Sequence, residues 1–125
     1  MYHPFGFLDV QSMNAALSYA AIAISRAGSG QIFEIAHHGT PAILIPISEG
    51  VSHDQEYNAI TYARTGAAVV IDESNATPHV LVSEINRIVS DATLCATMRR
   101  AAQGFAPLDA GKKIGETLLS IGFEH

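Results

Sequence analysis

Two polar clusters in this chain have the residue types and spacing to recognise a hydroxyl-rich anion. The first is Ser25-Arg26-Ala27-Gly28-Ser29-Gly30-Gln31, with Glu34 three residues further on, and the second is Ser52-His53-Asp54-Gln55. Backbone N–H groups at a helix start, together with the partial positive charge there, suit a phosphate. A carboxylate about one turn into the same helix, Glu34, is placed to accept hydrogen bonds from sugar hydroxyls. Gly28 and Gly30 are expected to let the chain turn tightly and let a ligand come close to the backbone. A phosphate at the turn and a diol at Glu34 together describe a nucleotide. Plainer alternatives stand beside this: glycine turns are common in α/β proteins, and Glu34 also suits a solvated pair with His38 four positions on, worth a few tenths of a kcal/mol. Gln55 likewise suits either a ligand or a capping box with Ser52.

The elements that must position these clusters follow from periodicity. Tyr2 to Leu8 reads as a short strand running into a loop, and its abrupt start leads to the expectation that Met1 lies inside an ancestral domain. Met13, Ala16, Leu17 and Ala20 recur at helical spacing, so a short amphipathic helix is expected over 11–20. A strand over 21–25, the glycine turn and a helix over 31–38 come next. Gly39 ends that helix and Pro41 prevents its resumption. The apolar run 42–46 suits a strand buried on both faces of a parallel sheet. A polar loop to Ser52 leads into a helix that runs through Tyr57, Ile60 and Ala63 to Gly66, and 67–71 is another buried strand. Thr77 and Pro78 open a helix carrying Leu81, Ile85 and Ile88 on one face, and Asp91 caps the next. Pro107 breaks that helix, and a last one is expected over 109–121 with Ile114, Leu118 and Ile121 on its apolar side. The alternation predicts an α/β fold, a parallel sheet of about four strands with helices on both faces. Both polar clusters then open helices that follow parallel strands, which puts them on the same rim of the sheet.

Bulk properties exclude several classes. With 125 residues, 48% of them hydrophobic and 15% charged, the chain is a folded domain and not a disordered tail. The net charge of −5, from 12 acidic against 7 basic residues with no basic run, argues against nucleic acid and against electrostatic docking to an anionic membrane by this segment. The six histidines are scattered and lack His-Glu-x-x-His or cysteine-pair company, so no metal site and no cofactor is expected. Cys95 is the single cysteine, which excludes an intrachain disulfide and suits a buried apolar position on a helix. No apolar run approaches the roughly 18 residues of a membrane span, and no signal-peptide pattern opens the chain.

Taken together, Ser25-Arg26-Ala27-Gly28-Ser29-Gly30-Gln31-Ile32-Phe33-Glu34, then Gly39-Thr40-Pro41 before the buried strand, then Asp54-Gln55-Glu56-Tyr57-Asn58-Ala59 and Gly66-Ala67-Ala68 resemble the C-terminal domain of the MurG-like glycosyltransferases, glycosyltransferase family 28. The order and spacing of these separated motifs match over nearly the whole chain. The resemblance implies a partial Rossmann-like domain of the GT-B type, belonging to inverting, metal-independent enzymes that move N-acetylglucosamine from UDP to lipid-linked muramyl-pentapeptide. It implies that Glu34 holds the ribose hydroxyls, that Gly28, Ser29, Gly30 and Gln31 line the phosphate and sugar, that Asp54 and Gln55 meet donor-sugar hydroxyls, and that the backbone near Phe7 and Leu8 faces the uracil. Asn58 joins the donor-binding set, with a loop-bracing role as its alternative, and Arg26 suits orienting the turn as well as touching ligand. Asp54 stands where the family has histidine or glutamine, and Gln31 where it has threonine.

The family pattern also implies segments ahead of this chain, a glycine-rich loop and an acceptor domain with the catalytic base, so no catalytic residue is assigned and turnover by the chain alone is not expected. Residues 1–106 are read as an incomplete nucleotide-sugar-binding domain, and 107–125 as a helix reaching back to a missing or separate acceptor domain. The partners implied are a UDP-sugar and, through that other domain, a lipid-linked acceptor. The implied location is cytoplasmic, with peripheral attachment of the full protein to the inner face of the cell membrane. Rival functions are a non-catalytic donor-binding subunit of a two-chain UDP-N-acetylglucosamine transferase, a related UDP-sugar lipid glycosyltransferase, and a degenerate fragment without ligand.

Overall fold

The computed structural model describes residues 1–48, 50–106 and 110–123. In chain order the elements are α1 (Val10–Tyr19), β1 (Ala23–Ser25), α2 (Ser29–His37), β2 (Ala42–Leu44), α3 (His53–Ala63), β3 (Ala68–Val70), a 3₁₀ turn (Glu73–Asn75), α4 (Pro78–Val89), α5 (Ala92–Phe105) and α6 (Ala110–Phe123). The strands are parallel and lie in the order β1-β2-β3, with Ile24, Ile43 and Val69 aligned across the sheet.

Side chains alternate across a strand, so the sheet has two faces with two cores. Ala42 and Leu44 face one way and pack with Ile32, Ile35 and Ala36 of α2, Ala59 and Tyr62 of α3, and Ala102 of α5. Ile43 faces the other way and packs with Ile88 of α4 and Met98 of α5, with Leu81 and Ile85 alongside. Strand β2, covered on both sides, has no exposed surface at any of its residues. β1 lies at the sheet edge, and its Ile24 stays 46% exposed.

Two N-caps and two helix-ending glycines act as read. Thr77 accepts from Val80 N–H at 3.3 Å with Pro78 in the first turn, and Asp91 accepts from Leu94 N–H at 3.0 Å. Gly39 and Gly66 adopt φ of 63° and 92° just after α2 and α3, a backbone region that side chains disfavour. The sequence reading missed one cap, Asp9, which accepts from Ser12 N–H at 2.7 Å; that bond holds its carboxyl below the usual carboxylate value.

Several expectations are corrected. Residues 2–8 form no strand: Tyr2, Phe5 and Phe7 stand exposed, and a strand exists only where a neighbour takes up its backbone groups. The described sheet therefore has three strands, not four. The strands are also shorter than the apolar runs, which continue past the ladder by single bonds such as Ile45 N–H to Ser25 and Ile71 N–H to Leu44, both 2.9 Å. Helix α1 carries Met13 and Leu17 on its inner side, followed by its C-cap Ala20, but none of the three is fully buried, and Ala16 is exposed. Leu17 packs against the first core, and polar links add to it. Thr40 Oγ1 donates to the Leu17 carbonyl at 2.8 Å, Arg99 donates to the Ala20 carbonyl at 3.3 Å, and the His38 ring lies 3.0 Å from Ser18 Oγ and 3.2 Å from Asn14 Oδ1. That engagement takes His38 away from Glu34, so the pair considered from sequence does not form. Cys95 is half-buried, not fully enclosed. The break at Pro107 and the helix start at Asp109 lie outside the described residues, and α6 presents Ile114, Leu118 and Ile121 to solvent. Among the described residues no helix is long and apolar enough to cross a membrane.

Candidate functional site

The C-terminal ends of β1 and β2 are neighbours in the sheet, and α2 and α3 open directly above them. In an open α/β sheet this is the rim where ligands bind. The two helix starts differ in chemistry. α2 has Gly28 as its N-cap, no side-chain capping bond and no acidic residue in its first turn; its first intrahelical bond runs from Ile32 N–H to the Gly28 carbonyl at 3.0 Å. The N–H groups of Ser29, Gly30 and Gln31 therefore point out of the helix end with the dipole behind them. α3 carries Asp54 and Glu56 in its first turn, which already meet its dipole. An anion is favoured at α2, and a neutral hydroxyl-bearing group at α3.

Ser29, Gly30, Gln31, Glu34 and Asp54 are exposed, whereas Gly28, Gln55, Asn58 and Leu8 are half-buried. Gly28 and Gly30 do not serve the turn as expected, because neither has a positive φ and Gly28 sits at ordinary extended angles of −64° and 143°. What they leave is room: a Cβ at Gly30 would meet nothing within 4 Å, and at Gly28 it would meet Gln31 Oε1 at 3.3 Å. The Gln31 side chain thus folds back over the N-cap. Glu34 makes no hydrogen bond or ion pair from its carboxylate among the described residues.

Gln55 does not close the capping box with Ser52, which has no side-chain cap bond. Its Oε1 instead accepts from Ala27 N–H at 3.2 Å and from Ile47 N–H at 3.1 Å. Asn58 Nδ2 donates to the Ala27 carbonyl at 3.4 Å. The two side chains, three apart on α3, join the residue before Gly28 to the loop after β2. Arg26 adds a second strap, donating to the Ile45 carbonyl at 3.2 Å and pairing with Glu73 at 2.6 Å. This pair is exposed and contributes little energy, but it ties the segments after all three strands together. The sequence reading missed Glu73 and its 3₁₀ turn; the polar run Asp72-Glu73-Ser74-Asn75 after a buried strand was the available signal.

Two hollows flank the rim. A small one of about 80 Å³ lies between α2 and α3, lined by Ser29, Phe33, Tyr57, Asn58 and Phe105. A larger one of about 530 Å³ lies above β2 and β3, lined by Pro46, Ile47, Ser48, Glu56, Asp72, Glu73 and Ser74. Its volume is in the range of small-molecule pockets. Its carboxylates suit hydroxyl donors and repel phosphate, which again favours α2 for the anion. The structure brings Gln55 and Asn58 to the α2 turn through Ala27, but among the described residues no bond joins Asp54 or Leu8 to it. Leu8 precedes α1, whose C-terminal turn is held at the N-terminal end of the strands, opposite the rim, by Thr40 and Arg99, so Leu8 lies toward the rim end of that helix. Among the described residues no group of three or more His, Cys, Asp or Glu side chains could hold a metal ion.

Comparison with known proteins gives a consistent result. Residues 2–114 match the glycosyltransferase family 28 C-terminal domain. A curated relative from Nostoc punctiforme, a UDP-N-acetylglucosamine--N-acetylmuramyl-(pentapeptide) pyrophosphoryl-undecaprenol N-acetylglucosamine transferase, is 34% identical over 110 residues, 88% of this chain and 31% of its own length. The Nitrobacter hamburgensis protein of the same name is 32% identical over 118 residues, 94% of this chain and 31% of its own. The chain thus spans about a third of the length of these relatives. Among solved structures, Acinetobacter baumannii MurG superposes with a TM-score of 0.75 at 27% identity, covering 93% of this chain and 33% of that one. The glycosyltransferase VinC, solved with dTDP, superposes with a TM-score of 0.68 at 22% identity over 86% of this chain and 26% of its own, a likeness of fold. The fold is that of a GT-B glycosyltransferase domain.

Proposed function

Because this chain belongs to glycosyltransferase family 28, we propose that it is the donor-binding part of an inverting N-acetylglucosaminyltransferase that uses UDP-N-acetylglucosamine and acts on lipid-linked muramyl-pentapeptide. One observation carries the donor reading: the start of α2 has neither a side-chain cap nor an acid in its first turn, and Glu34 stands one turn on with no protein partner among the described residues. The backbone N–H groups of Ser29, Gly30 and Gln31 take the diphosphate, and Glu34 takes the ribose diol. The donor sugar lies toward Asp54 and the hollow above β2 and β3, whose acidic lining accepts from hydroxyls. Leu8 lies against the base.

The chemistry is direct displacement. An acceptor hydroxyl attacks the anomeric carbon, the bond to the diphosphate breaks with inversion, and the negative charge that develops on the leaving UDP is met by the N–H groups and dipole of α2. No residue of this chain is assigned as the base. In this reading the base and the acceptor site are supplied by another domain or chain. The lipid on the acceptor places the reaction at a membrane surface.

Thermal unfolding with and without UDP tests the donor site. A ligand at 100 times its Kd adds about 2.7 kcal/mol to stability, and Glu34→Ala is expected to remove most of the UDP-induced shift while leaving the ligand-free transition in place. Absence of any UDP-induced shift in the wild-type chain overturns the proposal.

A further inference from the structure

We infer that Gln55 is a positioning residue for the phosphate-binding turn, acting through the backbone of Ala27 and not by accepting a bond from the donor. The inference rests on the donor-site reading above. Ala27 is the residue before the N-cap of α2 and is 0% exposed, so its N–H cannot turn to water. The β1–β2 ladder cannot take it either, because the bond from Ile45 N–H to Ser25 is the last one on that side. Gln55 Oε1 is its partner at 3.2 Å, and the same oxygen receives Ile47 N–H at 3.1 Å. Two converging N–H donors require the oxygen and exclude the NH₂ group at that spot, which fixes the orientation of the amide.

Asn58, one turn later on α3, holds the Ala27 carbonyl more loosely at 3.4 Å. One helix therefore grips both polar groups of the residue that aims Gly28 and, through it, the N–H groups of Ser29, Gly30 and Gln31. With both acceptor directions of Oε1 engaged, Gln55 has no acceptor left for a sugar hydroxyl. By way of Oε1, its effect on a bound donor passes through the turn. The loop after β2, which lines the larger hollow at Ile47, is held by the same atom, so the two subsites share one anchor.

UDP, which carries no hexose, separates the roles. Gln55→Met keeps the side-chain length and removes the acceptor. It is expected to weaken UDP and UDP-N-acetylglucosamine by the same factor, about tenfold, because an orphaned N–H lets the turn move. Loss of affinity for the UDP-sugar with UDP unchanged marks a direct sugar contact and overturns the inference. Amide hydrogen exchange on the ligand-free chain decides the clamp without any ligand. Ala27 and Ile47 should exchange faster in Gln55→Met while Ile43 in β2 keeps its protection, and Gln55→Glu, which retains an acceptor, should restore both. Unchanged exchange at Ala27 in Gln55→Met refutes the clamp. If the wild-type chain binds neither UDP nor the UDP-sugar, the donor reading falls, and the exchange data still show whether Gln55 holds the turn.

Discussion

Ser29→Asp separates an anion site from an ordinary helix start, because stability and binding should move in opposite directions. Ser29 is the first residue of α2, is exposed, and its side chain caps nothing. With no acid in the first turn, the dipole of α2 is unmet in the free chain, and a carboxylate there should stabilise by about 0.3–1 kcal/mol. For a domain of this size that is a rise of about 1 to 5 °C in Tm. A phosphate on the same N–H groups would lie some 5 Å from the new carboxylate. At that distance like charges repel by about 0.8 kcal/mol in water and about 3 kcal/mol at a partly buried surface, which weakens UDP by about four- to 160-fold. Calorimetric titration with UDP, run at low and high salt, reads the loss, and high salt should shrink it. Uridine, which has no phosphate, should bind both proteins equally. A variant that gains stability and keeps full UDP affinity refutes the placement of the anion. A variant that loses stability refutes the account of α2 as an uncapped helix start.

Three further predictions concern the scaffold. Tyr62 is 0% exposed and packs edge-on to Phe105 at 4.9 Å, but its hydroxyl has no partner among the described residues. Tyr62→Phe should therefore stabilise the chain by about 1 kcal/mol in denaturant melts, since it removes an unsatisfied buried group and keeps the ring; a loss of stability would reveal a bond to that hydroxyl. Burial pushes the Tyr62 phenol up to about 12 from 10.0, so its share of stability is intact below pH 10 and drains away as pH rises toward 12, where the unfolded phenol ionises first. The same melts across pH 9 to 12 should show a shallower decline in Tyr62→Phe. Ile43 is 0% exposed at the centre of β2, and Ile43→Ala should cost about 2–5 kcal/mol with cooperative unfolding retained; a cost below 1 kcal/mol would contradict the two-faced sheet.

Features governed by near neighbours in sequence were legible. Thr77 with Pro78, Asp91, Gly39 and Gly66 act within a few residues of themselves, and each ends or begins a helix where the residue types require. The apolar runs revealed the parallel sheet because both of its faces are covered. The misread features depend on distant partners. Tyr2 to Leu8 has strand-like residues but pairs with no neighbour among the described residues. Ser52 and Gln55 have capping-box spacing, yet two backbone N–H groups, from Ala27 and Ile47, draw Oε1 away. The Arg26–Glu73 strap spans 47 positions, and nothing near either residue announces it. At the site, residue type and order singled out the rim and already divided it into an anion end at the α2 turn and a hydroxyl end at Asp54 and Gln55; what they could not show is that the α2 start lacks a side-chain cap and that Gln55 is engaged by backbone N–H groups.

The alanine content of the first core explains how the clamp can exist. Ala27, Ala36, Ala42, Ala59, Ala67, Ala68, Ala102 and Ala106 all belong to the cluster that joins α2, α3 and α5 to the sheet. Small side chains let helix backbones approach a sheet closely, and a glutamine side chain reaches only a few ångströms beyond its own helix. Replacing Ala59, 0% exposed on the α3 face toward the sheet, with a larger residue would push α3 outward. Oε1 of Gln55 would then part from Ala27 and Ile47 before the ladder between β1 and β2 was disturbed. The small core residues thus set the height at which α3 rides over the sheet, that height lets Gln55 reach the backbone ahead of Gly28, and the aim of the α2 N–H groups depends on both. An isolated glycine turn of the same sequence has no such support, and its N–H groups would have to be ordered by the ligand at the cost of affinity.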